Sequence, residues 1–141
     1  MENFTFYAPT MFVFGDGEEQ KTGELVRQFN GTKVLLVYGG GSVKKNGAYD
    51  AVTASLDAAG LAWEELSGVQ ANPRSGIVYK GIEQVREKGF DFLIALGGGS
   101  VIDTAKAIGF GACYDGDFWD FFTGRAKITK SLPVGVVLTI A

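Results

Sequence analysis

The chain alternates short apolar runs with segments in which apolar residues recur at helical spacing. Apolar runs over residues 33–38, 91–96 and 133–140 predict buried strands, and residues 61–66 predict a fourth. Helical spacing predicts helices over residues 48–59, 77–88 and 100–110. An earlier helix is predicted after the acidic run at 16–19 and would carry Leu25, Val26 and Phe29 inward.

Strands that are apolar throughout and alternate with helices are typical of a parallel sheet covered on both faces. The sequence therefore predicts an α/β fold, a Rossmann-like open and mostly parallel sheet. Aromatic runs at residues 4–7 and 11–14 flank Pro9 and predict an N-terminal hairpin or two edge strands.

Two glycine-rich turns, residues 39–42 and 97–100, each follow an apolar run and precede a helical segment. This order brings backbone amides close to a phosphate at a helix N-terminus. Ser100 is predicted to cap its helix, with Asp103 three residues on as in a capping box. The second turn is not G-x-G-x-x-G, because Ile102 replaces the third glycine. The alternative is a tight turn with no ligand.

Composition narrows the class of protein. Apolar residues make up 46% of the 141 residues and charged residues 21%, as in one soluble globular domain. A net charge of −3 argues against a nucleic-acid or acidic-membrane partner, and no apolar run is long enough to span a membrane. The single Cys113 and the absence of a visible secretory signal predict a cytoplasmic location. Histidine, the commonest general base and metal ligand, is absent.

With these motifs, the chain resembles the N-terminal domain of the iron-containing (group III) alcohol dehydrogenases, closest to their butanol-dehydrogenase-like branch. The resemblance runs in order along essentially the whole chain, through segments 3–15, 39–47, 72–73, 97–106, 117–122 and 133–139. Glycerol dehydrogenase and dehydroquinate synthase are less similar. The first generally has lysine at the place of Ser100, and the second has Gly-Asp at the place of Ile102-Asp103.

The resemblance implies a dinucleotide site with a role for each matched segment. Residues 97–101 would hold the pyrophosphate, Asp103 would lie near the nicotinamide ribose or the substrate, and Thr139 would contact the adenine side. Asn72 would line the cleft near the ribose, and residues 40–42 would surround the adenosine ribose and any 2′-phosphate. The implied cofactor-binding residues are Gly39, Gly40, Gly41, Ser42, Asn72, Gly97, Gly98, Gly99, Ser100, Val101, Asp103 and Thr139.

The resemblance also implies what the chain lacks. Full-length members bind a divalent iron or zinc ion through one aspartate and three histidines of a second, helical domain, and this chain has no histidine. We therefore expect residues 1–141 to form the dinucleotide-binding domain alone, to bind no metal and to be catalytically incomplete. Two alternatives stay open: a stand-alone nucleotide-binding module, and a structural fragment that binds nothing.

Two further expectations concern the cofactor and the assembly. NAD-selective enzymes usually place a carboxylate at the end of an early strand to bind the adenosine ribose. In this family that position corresponds to Gly39, so the sequence predicts NADP(H) over NAD(H), with Lys44 or Lys45 adding attraction if either turns inward. In the resembling family the N-terminal segment tends to pair across a dimer, which predicts a homodimer through residues 4–14.

Overall fold

The structure, a computed structural model, describes residues 17–70 and 75–139. A short 3-10 helix at Glu18–Lys21 leads into α1 (Thr22–Gln28). The remaining elements follow in the order β1 (Lys33–Tyr38), α2 (Ser42–Lys45), α3 (Ala48–Ala58), β2 (Ala62–Leu66), α4 (Ser75–Lys88), β3 (Phe92–Gly97), α5 (Gly99–Ala112), a 3-10 helix at Phe118–Phe121, and β4 (Val134–Leu138). The predicted N-terminal hairpin or edge strands lie outside the described residues.

The four strands form one sheet in the order β2-β1-β3-β4, and every described pairing is parallel. The central strands β1 and β3 are buried almost throughout, because both of their faces are covered. This burial explains why their sequences are apolar without alternation. The predicted α/β class and parallel sheet are therefore confirmed.

Helices cover the sheet on both faces and divide the core in two. On one face Leu35, Leu93 and Ala95 pack with residues of α4 and α5, such as Ile82 and Ile108. On the other face Leu36, Ile94 and neighbouring strand residues pack with α1 and α3. This arrangement leaves the carboxyl ends of β1 and β3 side by side at one edge of the sheet.

One predicted inward residue of the first helix is wrong. Val26 is buried, but the ring of Phe29 is 45% exposed. The reason is that α1 ends at Gln28 and Phe29 follows it as the C-cap, beyond the face that Thr22, Gly23 and Val26 turn toward the core.

Asp91 links the amino-terminal ends of the two central strands, at the end of the sheet opposite the glycine turns. Its carboxylate accepts hydrogen bonds from the amides of Thr32 and Lys33, both at 2.9 Å, and from the Thr32 hydroxyl. Partial burial would raise the pKa of this carboxyl, but these hydrogen bonds together hold its pKa below the ordinary value. The ionised carboxylate of Asp91 thus stabilises the folded chain.

We expect Asp91→Asn to lower the free energy of unfolding by about 1–2 kcal/mol at neutral pH, because charge-assisted hydrogen bonds are lost. The pKa of Asp91 in the folded chain lies below the value of about 3.9 in the unfolded chain. The carboxylate therefore contributes its full stabilisation above about pH 3.9, and this contribution is lost as the pH falls through the folded-state pKa. Urea unfolding of both proteins at pH 7 and pH 3 tests this. The difference between them should shrink at pH 3, and an equal difference at both pH values would contradict the assignment.

Within residues 17–70 and 75–139, none of the helices has both the length and the apolar character needed to cross a membrane.

Candidate functional site

The two glycine turns meet at the carboxyl ends of neighbouring strands. Tyr38 and Leu96, the residues just before them, are paired across β1 and β3. Between the turns lies a cavity of about 270 Å³. Ligands of open α/β sheets bind in crevices of this kind, outside the carboxyl ends of the strands.

The cavity gathers most of the predicted site residues. Its wall consists of Gly39, Gly40, Ser42, Val43, Asn46, Leu96, Gly97, Gly98, Val101 and Thr139. Among the predicted residues, Gly41, Gly99 and Ser100 belong to the same turns without forming part of this wall. Asn72 lies outside the described residues. The four glycines of this wall offer amides without side chains in front of them.

The second turn has a backbone that glycine favours. Gly97 has a φ of 147°, and a Cβ there would stand 3.0 Å from Val101 Cγ2. Gly98 is extended and is the N-cap of α5, and a Cβ on Gly98 or Gly99 would meet nothing within 4 Å. The first amides of a helix point out of its end, here beside the cavity. The amide of Val101 instead donates to the carbonyl oxygen of Gly98, at 3.1 Å.

The predicted cap of this helix is wrong. The N-cap is Gly98 rather than Ser100, since α5 begins at Gly99. Ser100 is therefore the second residue of the helix, and Asp103 lies in its second turn. A carboxylate at that position does not form a capping box, which needs the third residue of the helix.

Asp103 is not among the residues that wall the glycine-lined cavity. It lines a second hollow, of about 260 Å³, between α4, α5 and the 3-10 helix at Phe118–Phe121. The hollow is mostly apolar, and its walls include Ser75, Val78, Asp103, Thr104, Ala107, Phe118, Trp119 and Phe122. Asp103 and the glycine turns thus border two different hollows.

The first turn is tight at Gly39 and open after it. The carbonyl oxygen of Gly39 accepts a hydrogen bond from the amide of Gly68 at 2.8 Å. A Cβ on Gly39 would lie 2.9 Å from the carbonyl oxygen of Val69, so a side chain there would force the backbone to shift. A Cβ on Gly40 or Gly41 would meet nothing within 4 Å.

The two lysines after this turn are not part of the cavity wall. Lys44 Nζ lies over the rings of Tyr49 and Tyr38, 4.9 Å and 5.6 Å from their centroids. The hydroxyl of Tyr49 donates to Glu65 Oε2 at 2.7 Å. That hydrogen bond, with partial burial second, raises the pKa of Tyr49 to about 12, so the ring beneath Lys44 stays neutral at physiological pH. Neither lysine borders the cavity in this arrangement, and the attraction expected from a lysine that turns inward stays a prediction.

Sequence reasoning missed Val43 and Asn46 as cavity residues. Asn46 follows α2 and precedes Gly47, whose φ of 84° turns the chain into α3. An Asn-Gly pair after a glycine turn signals a second reversal of the chain, and this was the available clue. The direction of the Asn46 side chain depends on that reversal and not on local periodicity.

Iron chemistry needs a set of ligands that these residues do not provide. In the described ranges, no three side chains of His, Cys, Asp or Glu come together as a metal site would require. The described residues therefore do not fit the metal of the family named above.

The fold and the cavity define a Rossmann-like α/β domain with a glycine-walled cleft at the carboxyl ends of its central strands. The family model of iron-containing alcohol dehydrogenase matches residues 9–141, and the chain belongs to that family. The resemblance seen in the sequence is thereby confirmed.

Individual relatives agree with this placement. The chain is 52% identical, over all its residues, to the probable NADH-dependent butanol dehydrogenase 2 of Bacillus subtilis, and 38% identical over 99% of its length to the NADPH-dependent aldehyde reductase YqhD of Escherichia coli. In each case it covers 36% of the relative's length. The crystal structure of NADH-dependent butanol dehydrogenase A from Thermotoga maritima matches with 48% identity and a TM-score of 0.93, over 100% of this chain and 35% of that one. The chain thus spans about a third of the length of the relatives it matches.

Proposed function

We propose that this chain binds a nicotinamide dinucleotide across the cavity between its two glycine turns, as the cofactor domain of an alcohol dehydrogenase. The observation that carries the proposal is the wall of that cavity, in which Gly39, Gly40, Gly97 and Gly98 border one space. The relatives named above are described as NADH- or NADPH-dependent, which supports the class of ligand.

The two turns take different parts of the ligand in this proposal. The pyrophosphate lies at the start of α5, where the amides around Gly98 and Gly99 and the positive end of the helix dipole favour an anion. The adenosine ribose lies beside Gly40 and Ser42, and Thr139 borders the same space. When bound, a nicotinamide dinucleotide supplies hydride transfer, and the residues of this chain hold and orient it.

Two of the site residues retain weaker support. Asn72 stays a prediction from family resemblance. Asp103 stays a proposed contact for the nicotinamide or substrate end, but its place in the apolar second hollow requires the ligand to extend past α5. The glycine-walled cavity does not depend on either residue.

The proposed preference is for NADP(H) over NAD(H). None of the described residues that wall the cavity is a carboxylate, so no fixed negative charge there opposes a 2′-phosphate. Ser42 offers a hydroxyl donor on the same wall. The names of several relatives, at 42–52% identity, specify NADH and oppose this preference. Paired dissociation constants decide between the two.

We expect Gly40→Asp to weaken NADPH binding at least tenfold relative to NADH binding, because a carboxylate there repels the 2′-phosphate and accepts from ribose hydroxyls. Gly40 is the suitable position, since a side chain on Gly39 would collide with the carbonyl of Val69. Gly40→Asn is the control of equal size without charge and should change the ratio little. Tighter NADH than NADPH binding by the wild type would contradict the preference, and an unchanged ratio in Gly40→Asp would contradict its mechanism.

The metal and the alcohol substrate belong, in this proposal, to residues other than those described. We expect no alcohol oxidation or aldehyde reduction by the purified 141-residue chain with either cofactor, whether or not Fe²⁺ or Zn²⁺ is added. Activity assays with butanol and butyraldehyde test this. Metal-dependent turnover by the chain alone would contradict it.

We also propose a homodimer through residues 4–14, and a cytoplasmic location consistent with the single cysteine. Sedimentation velocity over a range of protein concentrations tests the dimer. A monomer at every concentration would contradict it.

A further inference from the structure

The side chain of Asn46 is the one carboxamide in the described wall of the glycine-lined cavity, on the same side as Gly40 and Ser42. It follows the last residue of α2 and stands at the reversal that starts α3. A ligand group beside the first glycine turn would therefore lie near the Asn46 carboxamide. Nothing in the sequence pattern or the family resemblance gave Asn46 a role in the site.

The orientation of this carboxamide follows from one hydrogen bond. The amide of Ala48 donates to Asn46 Oδ1 at 3.0 Å. Only the oxygen of a carboxamide accepts a hydrogen bond, so this contact fixes which end of the side chain faces α3. Asn46 Nδ2 then carries two N–H donors, for which the described residues supply no hydrogen-bond acceptor.

The neighbouring cation, Lys44, contacts two aromatic rings. Lys44 lies over the rings of Tyr38 and Tyr49 and is not part of the cavity wall. Among the described residues that wall this side of the cavity, the side-chain donors are the Ser42 hydroxyl and the Asn46 amide, both neutral. Neutral donors bind a phosphate oxygen by charge-assisted hydrogen bonds, which are about twice as strong as those to a neutral hydroxyl.

We propose that Asn46 Nδ2 donates to the 2′-phosphate of the adenosine ribose and is a specificity-determining residue for NADP(H). This inference rests on the proposed function, because it assigns a residue to the adenosine end of the same cavity. Asn46 differs from the glycine turns in its effect: their amides bind the part that both cofactors share, whereas Asn46 acts on the group that distinguishes them.

Asn46→Asp is the most informative variant. An aspartate keeps an acceptor for the amide of Ala48, so the start of α3 is preserved, while the two donors become a negative charge. We expect NADPH affinity to fall at least tenfold and NADH affinity to change less than threefold. Asn46→Ala, which removes the donors without adding charge, should lower NADPH affinity by a smaller factor in the same direction.

Asn30→Asp is the matched control for the added charge, since Asn30 lies after α1, at the opposite edge of the sheet. It should leave the ratio of the two affinities unchanged. Isothermal titration of all four proteins with NADPH and NADH gives the ratios, and circular dichroism confirms that each is folded. The role of Asn46 would be overturned if folded Asn46→Asp kept the wild-type ratio of NADPH to NADH affinity, whether both affinities stayed the same or both fell equally. Failure of the wild type to bind either cofactor would instead overturn the proposed function.

Discussion

Replacing Gly98 by valine should leave the chain folded and lower its affinity for NADPH and NADH alike by more than tenfold, or about 1.4 kcal/mol. Gly98 caps α5 in an extended conformation that valine adopts without strain, and a Cβ there meets nothing within 4 Å. The branched side chain would occupy the space in which we propose the pyrophosphate contacts the backbone. The loss is shared by both cofactors because both contain this group.

Gly76→Val is the control for this variant. Gly76 lies in α4, outside the wall of the cavity, and a Cβ there also meets nothing within 4 Å. It should bind both cofactors as the wild type does. Titration calorimetry supplies the dissociation constants and thermal unfolding supplies the stability. Unchanged cofactor affinity in folded Gly98→Val would remove the pyrophosphate from the start of α5.

The largest expected effect on stability comes from Gly23→Ala, where α1 touches α3. A Cβ on Gly23 would stand 2.3 Å from the carbonyl oxygen of Ser55 and 2.8 Å from Ala59 Cβ. The amide of Gly23 also donates to Ser55 Oγ at 2.8 Å, and that hydroxyl donates to the carbonyl oxygen of Gln20. One added methyl group therefore separates two helices that are held together by hydrogen bonds.

We expect Gly23→Ala to lower the free energy of unfolding by roughly 3 kcal/mol, the upper end for overpacking, because a helical carbonyl cannot move as a side chain can. Gly76→Ala is the control at an open position near the start of α4 and should not lower stability, because alanine favours a helix more than glycine does. Urea unfolding monitored by circular dichroism gives both values. Equal stability of Gly23→Ala and the wild type would show that α1 and α3 are not packed as described.

The fold was predictable because its central strands carry an unusually plain pattern. β1 and β3 are buried on both faces, so their sequences are apolar without alternation, and the helical spacing of Val78, Ile82 and Val85 follows from a single buried face of α4. Phe29 was misplaced because helix ends depend on the cap, which periodicity does not determine.

The candidate site was predictable where it depends on topology and unpredictable where it depends on turns. Parallel neighbours bring the turns after β1 and β3 to the same edge, so the meeting of Gly40 and Gly98 follows from the strand order. Asn46 was missed because its direction is set by the reversal at Gly47. The capping role of Asp103 was wrong because α5 begins at Gly99, which puts Asp103 in the second turn of the helix.

Direct titration of the wild-type chain tests whether the cavity between the glycine turns binds a nicotinamide dinucleotide. Isothermal titration calorimetry with NADPH, and separately with NADH, should give saturable binding of one dinucleotide per chain. Competition by the non-reacting fragment ADP-ribose should weaken that binding, because it contains the shared pyrophosphate and adenosine groups. Folded wild-type protein that gives no saturable binding of either cofactor up to millimolar concentration would contradict the account.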